Sequence, residues 1–149
     1  MKKISSEEIS KYTSLYLTVG RKKESWSLDD VEMEGDALHA TISMNSIYSS
    51  PTDIGGFHLS IFPALEFVSQ LIIIYFHVWA GLSEKTQEAW MIESKIRYQK
   101  VIRSHLNIKV SIKVRNIKKV GKRLYSIVEF KITDDLDGIF EGEIKAFIA

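Results

Sequence analysis

The sequence predicts an α+β fold in which one antiparallel β-sheet curls around a single long helix. The run from Pro63 to Gly81 is apolar on nearly every side, which is typical of a helix that is buried all round. Residues 106–115 alternate apolar and polar side chains with a period of two, as in a strand with one face in the core. Strand-like segments lie on both sides of the apolar run, so a sheet can cover the helix.

The predicted elements follow one another without a linker or a repeat. Ser5 and Glu8 form a capping box at the start of a helix that is predicted to end near Tyr16. A loop rich in serine and glycine over 45–56 precedes the long helix, and Gly81 ends it. The predicted strands are Trp26–Met33, Ala37–Met44, Ala89–Tyr98, Leu106–Arg115, Leu124–Thr133 and Ile139–Ile148.

Length and composition indicate one ordinary globular domain over residues 1–149. The chain is 45% hydrophobic and 26% charged, and it contains no cysteine, which favours a cytoplasmic protein without disulfides. The formal net charge of +1 gives no general attraction to nucleic acid. The long apolar run falls short of the roughly 20 residues of a membrane span. Because it also contains Glu66, Gln70 and His77, we interpret it as a core helix.

Segment 56–71 carries a resemblance to a known fold family. Glu66 and Gln70 lie one turn apart on one helix face, and an apolar helix rarely holds a carboxylate without a purpose. The segment resembles the start of the central helix in hotdog-fold enzymes that act on acyl thioesters. In hydroxyacyl-carrier-protein dehydratases an acid also lies four residues before a glutamine. The resemblance implies a hotdog fold, with an antiparallel sheet wrapped around one central helix and subunits that pair edge to edge.

A second group within this fold matches the histidine. The chain resembles the FcoT-like family, described as long-chain acyl-CoA thioesterases, which has a histidine twelve residues before an equivalent glutamine. His58 stands at that distance from Gln70. Tyr48 matches an active-site tyrosine of the family, and Ser60 and Ser69 stand at the positions of its two asparagines. The resemblance implies a thioesterase that acts on fatty acyl-CoA or acyl-carrier-protein substrates.

These residue types suit thioester chemistry. We expect His58 and Glu66 to be catalytic, with burial raising the pKa of Glu66 so that it can transfer a proton. Gly56 lets the backbone approach a ligand, and N–H groups near Ser60 can polarise a carbonyl oxygen at the positive end of the helix dipole. The remaining candidate substrate-binding residues are Tyr48, Ser69 and Gln70. Hydrolysis, dehydration of a 3-hydroxyacyl thioester, conjugate addition to an enoyl thioester, and acyl binding without catalysis all stay open.

The expected partners follow from charge and from the resemblance. Eleven Lys and Arg residues lie between Lys95 and Arg123 with no acidic residue among them. They suit either the phosphates of coenzyme A or the acidic surface of an acyl carrier protein, although a solvated strand face explains them equally well. We expect a homodimer or a higher homo-oligomer, no nucleic acid and no membrane span. The histidines show no metal-ligand spacing, so no metal and no cofactor are expected.

Overall fold

A computed structural model describes residues 24–47, 49 and 52–149. The capping box, the helix predicted to follow it and Tyr48 lie outside the described residues. In chain order the elements are β1 (Ser25–Glu34), β2 (Ala37–Ser46), α1 (Ile61–Trp79), β3 (Ala89–Lys100), β4 (Ile108–Val120), β5 (Arg123–Thr133) and β6 (Ile139–Ile148). The predicted order of two strands, one long helix and four strands is confirmed.

The six strands form one antiparallel sheet in the order β1-β2-β4-β5-β6-β3. The hairpins β1–β2, β4–β5 and β5–β6 join neighbours along the chain, whereas β3 crosses over to the far edge beside β6. Helix α1 is part of the connection from β2 to β3, and it contacts β2, β3, β4 and β5. One face of the sheet therefore packs against the helix, as the alternating strands and the apolar run predict.

The core lies between α1 and the inner face of the sheet. Phe67, Leu71 and Phe76 of the helix are almost fully buried, and they pack against alternate residues of the strands. The strand residues of this layer include Leu38, Ile42, Ile108, Ile112, Val128, Ile132, Phe140 and Ile144. By length and composition α1 is apolar enough to cross a membrane, but it is the core helix of this sheet.

Both ends of α1 agree with the sequence signals. Ser60 is the N-cap residue in extended conformation, although its side chain makes no capping hydrogen bond. After the helix, Gly81 adopts a φ of +68°, and the N–H of Leu82 donates to the carbonyl of His77 at 2.9 Å. A glycine that takes the left-handed conformation in this way commonly ends a helix.

Two surfaces of this layer are exposed among the described residues. On α1, Phe62 is 55% exposed and Glu66 is also exposed. On the edge strand β3, Trp90, Ile92 and Tyr98 are all substantially exposed. An apolar edge strand with free backbone groups is a surface that proteins commonly pair or cover.

Candidate functional site

His58 lies in the loop that leads into α1 and forms a hydrogen bond with Asp53. Its Nδ1 contacts Asp53 Oδ2, and the histidine side chain is 42% exposed whereas that of Asp53 is only 14% exposed. A carboxylate oxygen can only accept a hydrogen bond, so Nδ1 carries the hydrogen. The second ring nitrogen, Nε2, is therefore left for a reacting group or for water.

Arg103 holds the same carboxylate from the segment after β3. Its Nη1 donates to both oxygens of Asp53 at 2.9 Å and to the carbonyl oxygen of Phe57 at 3.2 Å. Arg103 first, and the hydrogen bond from His58 second, hold the pKa of Asp53 below its ordinary value of 3.8. Asp53 is thus a carboxylate at neutral pH, shared between a fixed cation and the imidazole.

A buried carboxylate fixes the segment that carries Arg103. Asp134 accepts hydrogen bonds from the N–H groups of Arg103 and Ser104 at 2.7 and 2.8 Å, and from those of Leu136 and Gly138 at 3.0 and 2.7 Å. Burial acts to raise the pKa of Asp134, but these four backbone donors outweigh it and lower the pKa overall. The adjacent loop is joined to this frame because the Leu59 N–H donates to the carbonyl of Ile102 at 3.0 Å.

The two glycines of the loop have different roles. Gly56 adopts a φ of +74°, a conformation that favours glycine, and its N–H donates to the Asp53 carbonyl at 3.0 Å. Gly55 N–H donates to Asp53 Oδ1 at 3.1 Å, and a Cβ at this position would collide with the guanidinium of Arg103. The glycine pair therefore lets Arg103 reach Asp53 and shapes the turn that presents His58.

Glu66 does not occupy the environment that the sequence predicts. It is exposed, and its Oε2 accepts a hydrogen bond of 3.3 Å from the Trp26 indole, whose ring packs edge-on against Phe67 with centroids 4.9 Å apart. The expected burial of this carboxylate against Phe62, Phe67 and the sheet is therefore wrong for one chain. The physical reason is that Glu66 lies at the margin of the contact between helix and sheet, where it meets Trp26 of the edge strand β1 and also water.

The other predicted site residues are spread along α1. Ser60 caps the helix, and Ser69 and Gln70 are half-buried about three turns further on. No hydrogen bond or ion pair joins His58 to Glu66, because the former contacts Asp53 and the latter contacts Trp26. Within one chain the structure therefore divides the predicted site into two clusters.

Sequence reasoning missed Asp53, Arg103 and Trp26. Asp53 stands five residues before His58, so an acid close to a candidate base was a local signal that could have been used. Arg103 and Trp26 are 45 and 32 residues from His58 in the chain, and only the fold brings them to the site. Among the described residues, no group of three or more acidic or histidine side chains is arranged to hold a metal ion.

Two surface cavities lie elsewhere, along the strands of the sheet. One encloses about 820 Å³ beside His39, Arg97, Lys131 and Glu141, and the other about 420 Å³ beside Asp30, Lys109 and Thr133. Neither is lined by a predicted site residue. Since α1 packs directly on the sheet through fully buried side chains, these cavities offer no apolar slot beside the helix.

The architecture defines the class of fold. One antiparallel sheet of six strands wrapped around one long helix is the hotdog fold predicted from segment 56–71. No protein-family model and no curated protein matches the sequence. The fold is therefore established by architecture and by solved structures rather than by sequence.

Solved structures with this fold include several thioesterases. A thioesterase from Haemophilus influenzae matches with a TM-score of 0.56 and 10% identity over 99% of this chain and 92% of that one. A mutant thioesterase from Pseudomonas aeruginosa matches with the same TM-score and identity over 99% and 96%. A mutant of a fluoroacetyl-CoA-specific thioesterase matches with a TM-score of 0.51 and 13% identity over 67% and 70%. At these identities the likeness shows the shared fold.

Proposed function

We propose that this protein is an acyl-thioester hydrolase that acts on fatty acyl-CoA or acyl-carrier-protein substrates. The observation that carries the proposal is His58, which is partly exposed just before the start of α1 and bound through Nδ1 to an ionised carboxylate. The similarity in fold to solved thioesterases over nearly the whole chain supports the same substrate class. Hydrolysis agrees with both observations.

The chemistry needs a base, a site for the oxyanion and a leaving thiol. His58 Nε2 takes a proton from water as the water oxygen attacks the thioester carbonyl carbon. The N–H groups of Ser60 and Ile61 at the start of α1, together with the positive end of the helix dipole, stabilise the negative charge on the carbonyl oxygen. The carbon–sulfur bond then breaks, and the imidazolium returns its proton to the thiolate sulfur, which gives a carboxylic acid and a thiol.

The acyl slot in this proposal lies between two copies of the chain. Phe62 and Glu66 are exposed on α1, and Trp90, Ile92 and Tyr98 are exposed on the edge strand β3. In this proposal β3 pairs with β3 of a second copy, and Glu66, Ser69 and Gln70 line the slot between the two copies. In this arrangement Glu66 binds or activates the substrate at the subunit interface, and Tyr48 contributes from the adjoining loop.

The basic stretch supplies a docking surface for the carrier. Ion pairs with acidic residues engage Lys95, Lys100, Arg103, Lys113 and Arg115, so these cations are largely neutralised. The cations of the β4–β5 turn form no ion pair within the described part of the chain; they are Lys118, Lys119, Lys122 and Arg123. They suit the phosphates of coenzyme A or the acidic surface of a carrier protein.

Symmetry brings this turn to the other subunit's site. The turn lies at the same end of the sheet as Ala89 at the start of β3, with β6 between them, whereas the His58 loop lies beside Ile102, just after β3 ends. Antiparallel pairing of two β3 strands sets the start of one against the end of the other. The basic turn of one subunit therefore binds the carrier of a substrate that is hydrolysed in the site of its partner. We assign this reaction to the cytoplasm.

A second candidate function is acyl binding without catalysis. The exposure of Glu66 favours it, because a carboxylate in water has little reason to act as a tuned acid or base. A Glu66→Gln variant tests whether Glu66 takes part in catalysis. Loss of turnover by roughly 100-fold or more supports a role for Glu66 in proton transfer or substrate binding, and full turnover excludes such a role.

The reaction class is tested by mass spectrometry of acyl-CoA and acyl-carrier-protein species incubated with the protein. We expect release of the free acid from saturated acyl thioesters. Loss of water from a 3-hydroxyacyl species, or its addition to an enoyl species, would instead identify a dehydratase or an addition enzyme. Saturable acyl-CoA binding with no chemical change in any substrate would favour the binding protein.

A further inference from the structure

We propose that Asp53 and Arg103 act as a pair of positioning residues that keep the hydrogen of the His58 ring on Nδ1 and leave Nε2 for the substrate. This inference deepens the proposed hydrolysis and depends on it for the catalytic consequence. Neither residue belongs to the site that the sequence predicts. The proposal comes from the contacts that both residues make on one shared carboxylate.

The first step of the argument concerns the tautomer of His58. Asp53 is an acceptor, so it requires a hydrogen on Nδ1 and leaves the lone pair of the neutral ring on Nε2. Without Asp53 nothing else in the described contacts of His58 would select between the two tautomers. A general base needs its lone pair on the nitrogen that meets the substrate, so Asp53 selects the reactive form.

The second step concerns charge. A lone carboxylate beside a histidine stabilises the imidazolium, which has no free lone pair and cannot act as a base. Arg103 donates to both oxygens of the same carboxylate, so its fixed positive charge offsets that stabilisation. Asp53 therefore orients the ring while Arg103 offsets the negative charge that the carboxylate presents to it.

The surrounding charged groups agree with this division of labour. Asp134 is engaged by four backbone N–H groups and holds the Arg103 segment rather than the imidazole. His105 packs edge-on against Phe57 with ring centroids 6.2 Å apart, and it is exposed. Asp53 and Arg103 are thus the charged side chains in direct contact with the His58 site.

Gly55 provides a way to disturb the pair without removing a charge. A methyl group at this position would meet the Arg103 guanidinium, and Gly55 does not have a positive φ, so alanine fits its backbone. We expect Gly55→Ala to push Arg103 away from Asp53 while both ionised groups remain. It should therefore shift activity in the same direction as Arg103→Met.

The test compares Asp53→Asn, Arg103→Met and Gly55→Ala with two controls that remove a solvent-exposed pair nearby, Lys100→Met and Asp137→Asn. The first readout is the nitrogen NMR spectrum of His58. We expect the Nδ1–H form in the wild type at alkaline pH and its loss in Asp53→Asn, whose amide can offer a hydrogen to Nδ1. A wild-type ring in the Nε2–H form would overturn the positioning role, whatever the activity.

The second readout is the pH dependence of kcat and KM on the acyl thioester that the wild type hydrolyses. Asp53→Asn should lower kcat by roughly 100-fold or more, with KM changed less than about threefold. Arg103→Met and Gly55→Ala should both move the acid limb of the profile to higher pH, because each removes the cation that offsets the Asp53 charge. Arg103→Lys should restore part of the wild-type profile.

The outcomes separate the two proposals. A wild-type protein that hydrolyses no thioester rejects the proposed function, while the NMR experiment still decides how His58 is held. A wild type that is active, together with an Asp53→Asn variant of unchanged kcat and unchanged tautomer, rejects the positioning role alone. If Asp53→Asn fails to fold, the test uses the two variants Arg103→Met and Gly55→Ala. An acid limb that shifts in neither of them also rejects the positioning role.

Discussion

Asp134 illustrates how one residue organises the candidate site from a distance. It is buried, and its two oxygens accept four backbone hydrogen bonds from two separate segments, 103–104 and 136–138. Gly138 packs so closely that a Cβ would come within 2.7 Å of the Ile102 Cα. The position of Arg103, and through it that of His58, therefore depends on an ionised side chain that touches neither Asp53 nor the imidazole.

We predict that Asp134→Asn destabilises the fold by about 2–4 kcal/mol at pH 7, because an amide cannot accept all four hydrogen bonds. The pKa of Asp134 is lowered below 3.8 on folding. Its stabilisation is therefore complete above the unfolded pKa and is lost as the pH falls through the folded pKa. Urea unfolding should show a wild-type advantage that shrinks below about pH 4.

Asp135→Asn is the matched control, because Asp135 is the exposed neighbour. An equal loss of stability in both variants, or a wild-type advantage that does not change with pH, would contradict this account of Asp134.

Single residues also show which parts of the candidate site can be predicted from the sequence and which cannot. His58 was predicted because its chemistry and its distance from Gln70 are visible in the sequence. Arg103 was not, because its contact with Asp53 crosses 50 positions and depends on how β3 returns beside the helix. Glu66 was predicted as buried since the apolar run hides which stripe of α1 the sheet leaves uncovered.

At the scale of elements, the end of α1 is fixed by a histidine inside the core. His77 is 7% exposed; its Nδ1 donates to the carbonyl of Ile73 at 2.7 Å, and its Nε2 accepts from the N–H groups of Thr86 and Gln87 at 3.0 and 3.3 Å. These partners require a neutral ring with its hydrogen on Nδ1. The imidazole thereby links the last turns of the helix to the segment that enters β3.

We predict that His77→Phe lowers the free energy of unfolding by about 2–3 kcal/mol, since three buried or half-buried backbone groups lose their partner. Chemical denaturation of the variant measures the loss. His39→Phe serves as the control because His39 is exposed on β2. A His77→Phe protein as stable as the wild type would show that water or a rearranged segment replaces the imidazole.

The strands were predicted closely because local patterns determine them. Ile139–Ile148 was predicted at its observed bounds, and the other predicted starts and ends fall within two residues of the structure except in β4. There the strand continues to Val120, five residues beyond the prediction. The alternation breaks at a bulge between Arg115 and Lys118, where Asn116 adopts a φ of +54°, and a period of two cannot follow such a shift.

For the whole molecule, the central feature is a helix that its own sheet covers only in part. The buried side of α1 makes the core, while Phe62 and Glu66 on the helix and Ile92 on β3 are exposed. The acyl slot that we propose between two copies of the chain uses these exposed surfaces.

We predict a homodimer with a mass about twice the 17.1 kDa of one chain. Ile92→Lys should weaken it at least tenfold, because the substitution places a charge on the apolar edge of β3, where Ile92 is 57% exposed. Sedimentation equilibrium measures the dissociation constant. Leu136→Lys is the control, since Leu136 is equally exposed at the β5–β6 turn. A monomeric wild type, or equal effects of both variants, would contradict pairing through β3.

The most direct test of the account follows the oxygen that enters the product. The wild-type protein and a His58→Asn variant are incubated with a long-chain acyl-CoA in water labelled with oxygen-18, and the released acid is weighed by mass spectrometry. We predict one labelled oxygen per acid molecule in the wild type and a rate at least about 100-fold lower in the variant. Labelled acid formed by both proteins at the same rate would contradict the role of His58, and no acid from either would contradict hydrolysis itself.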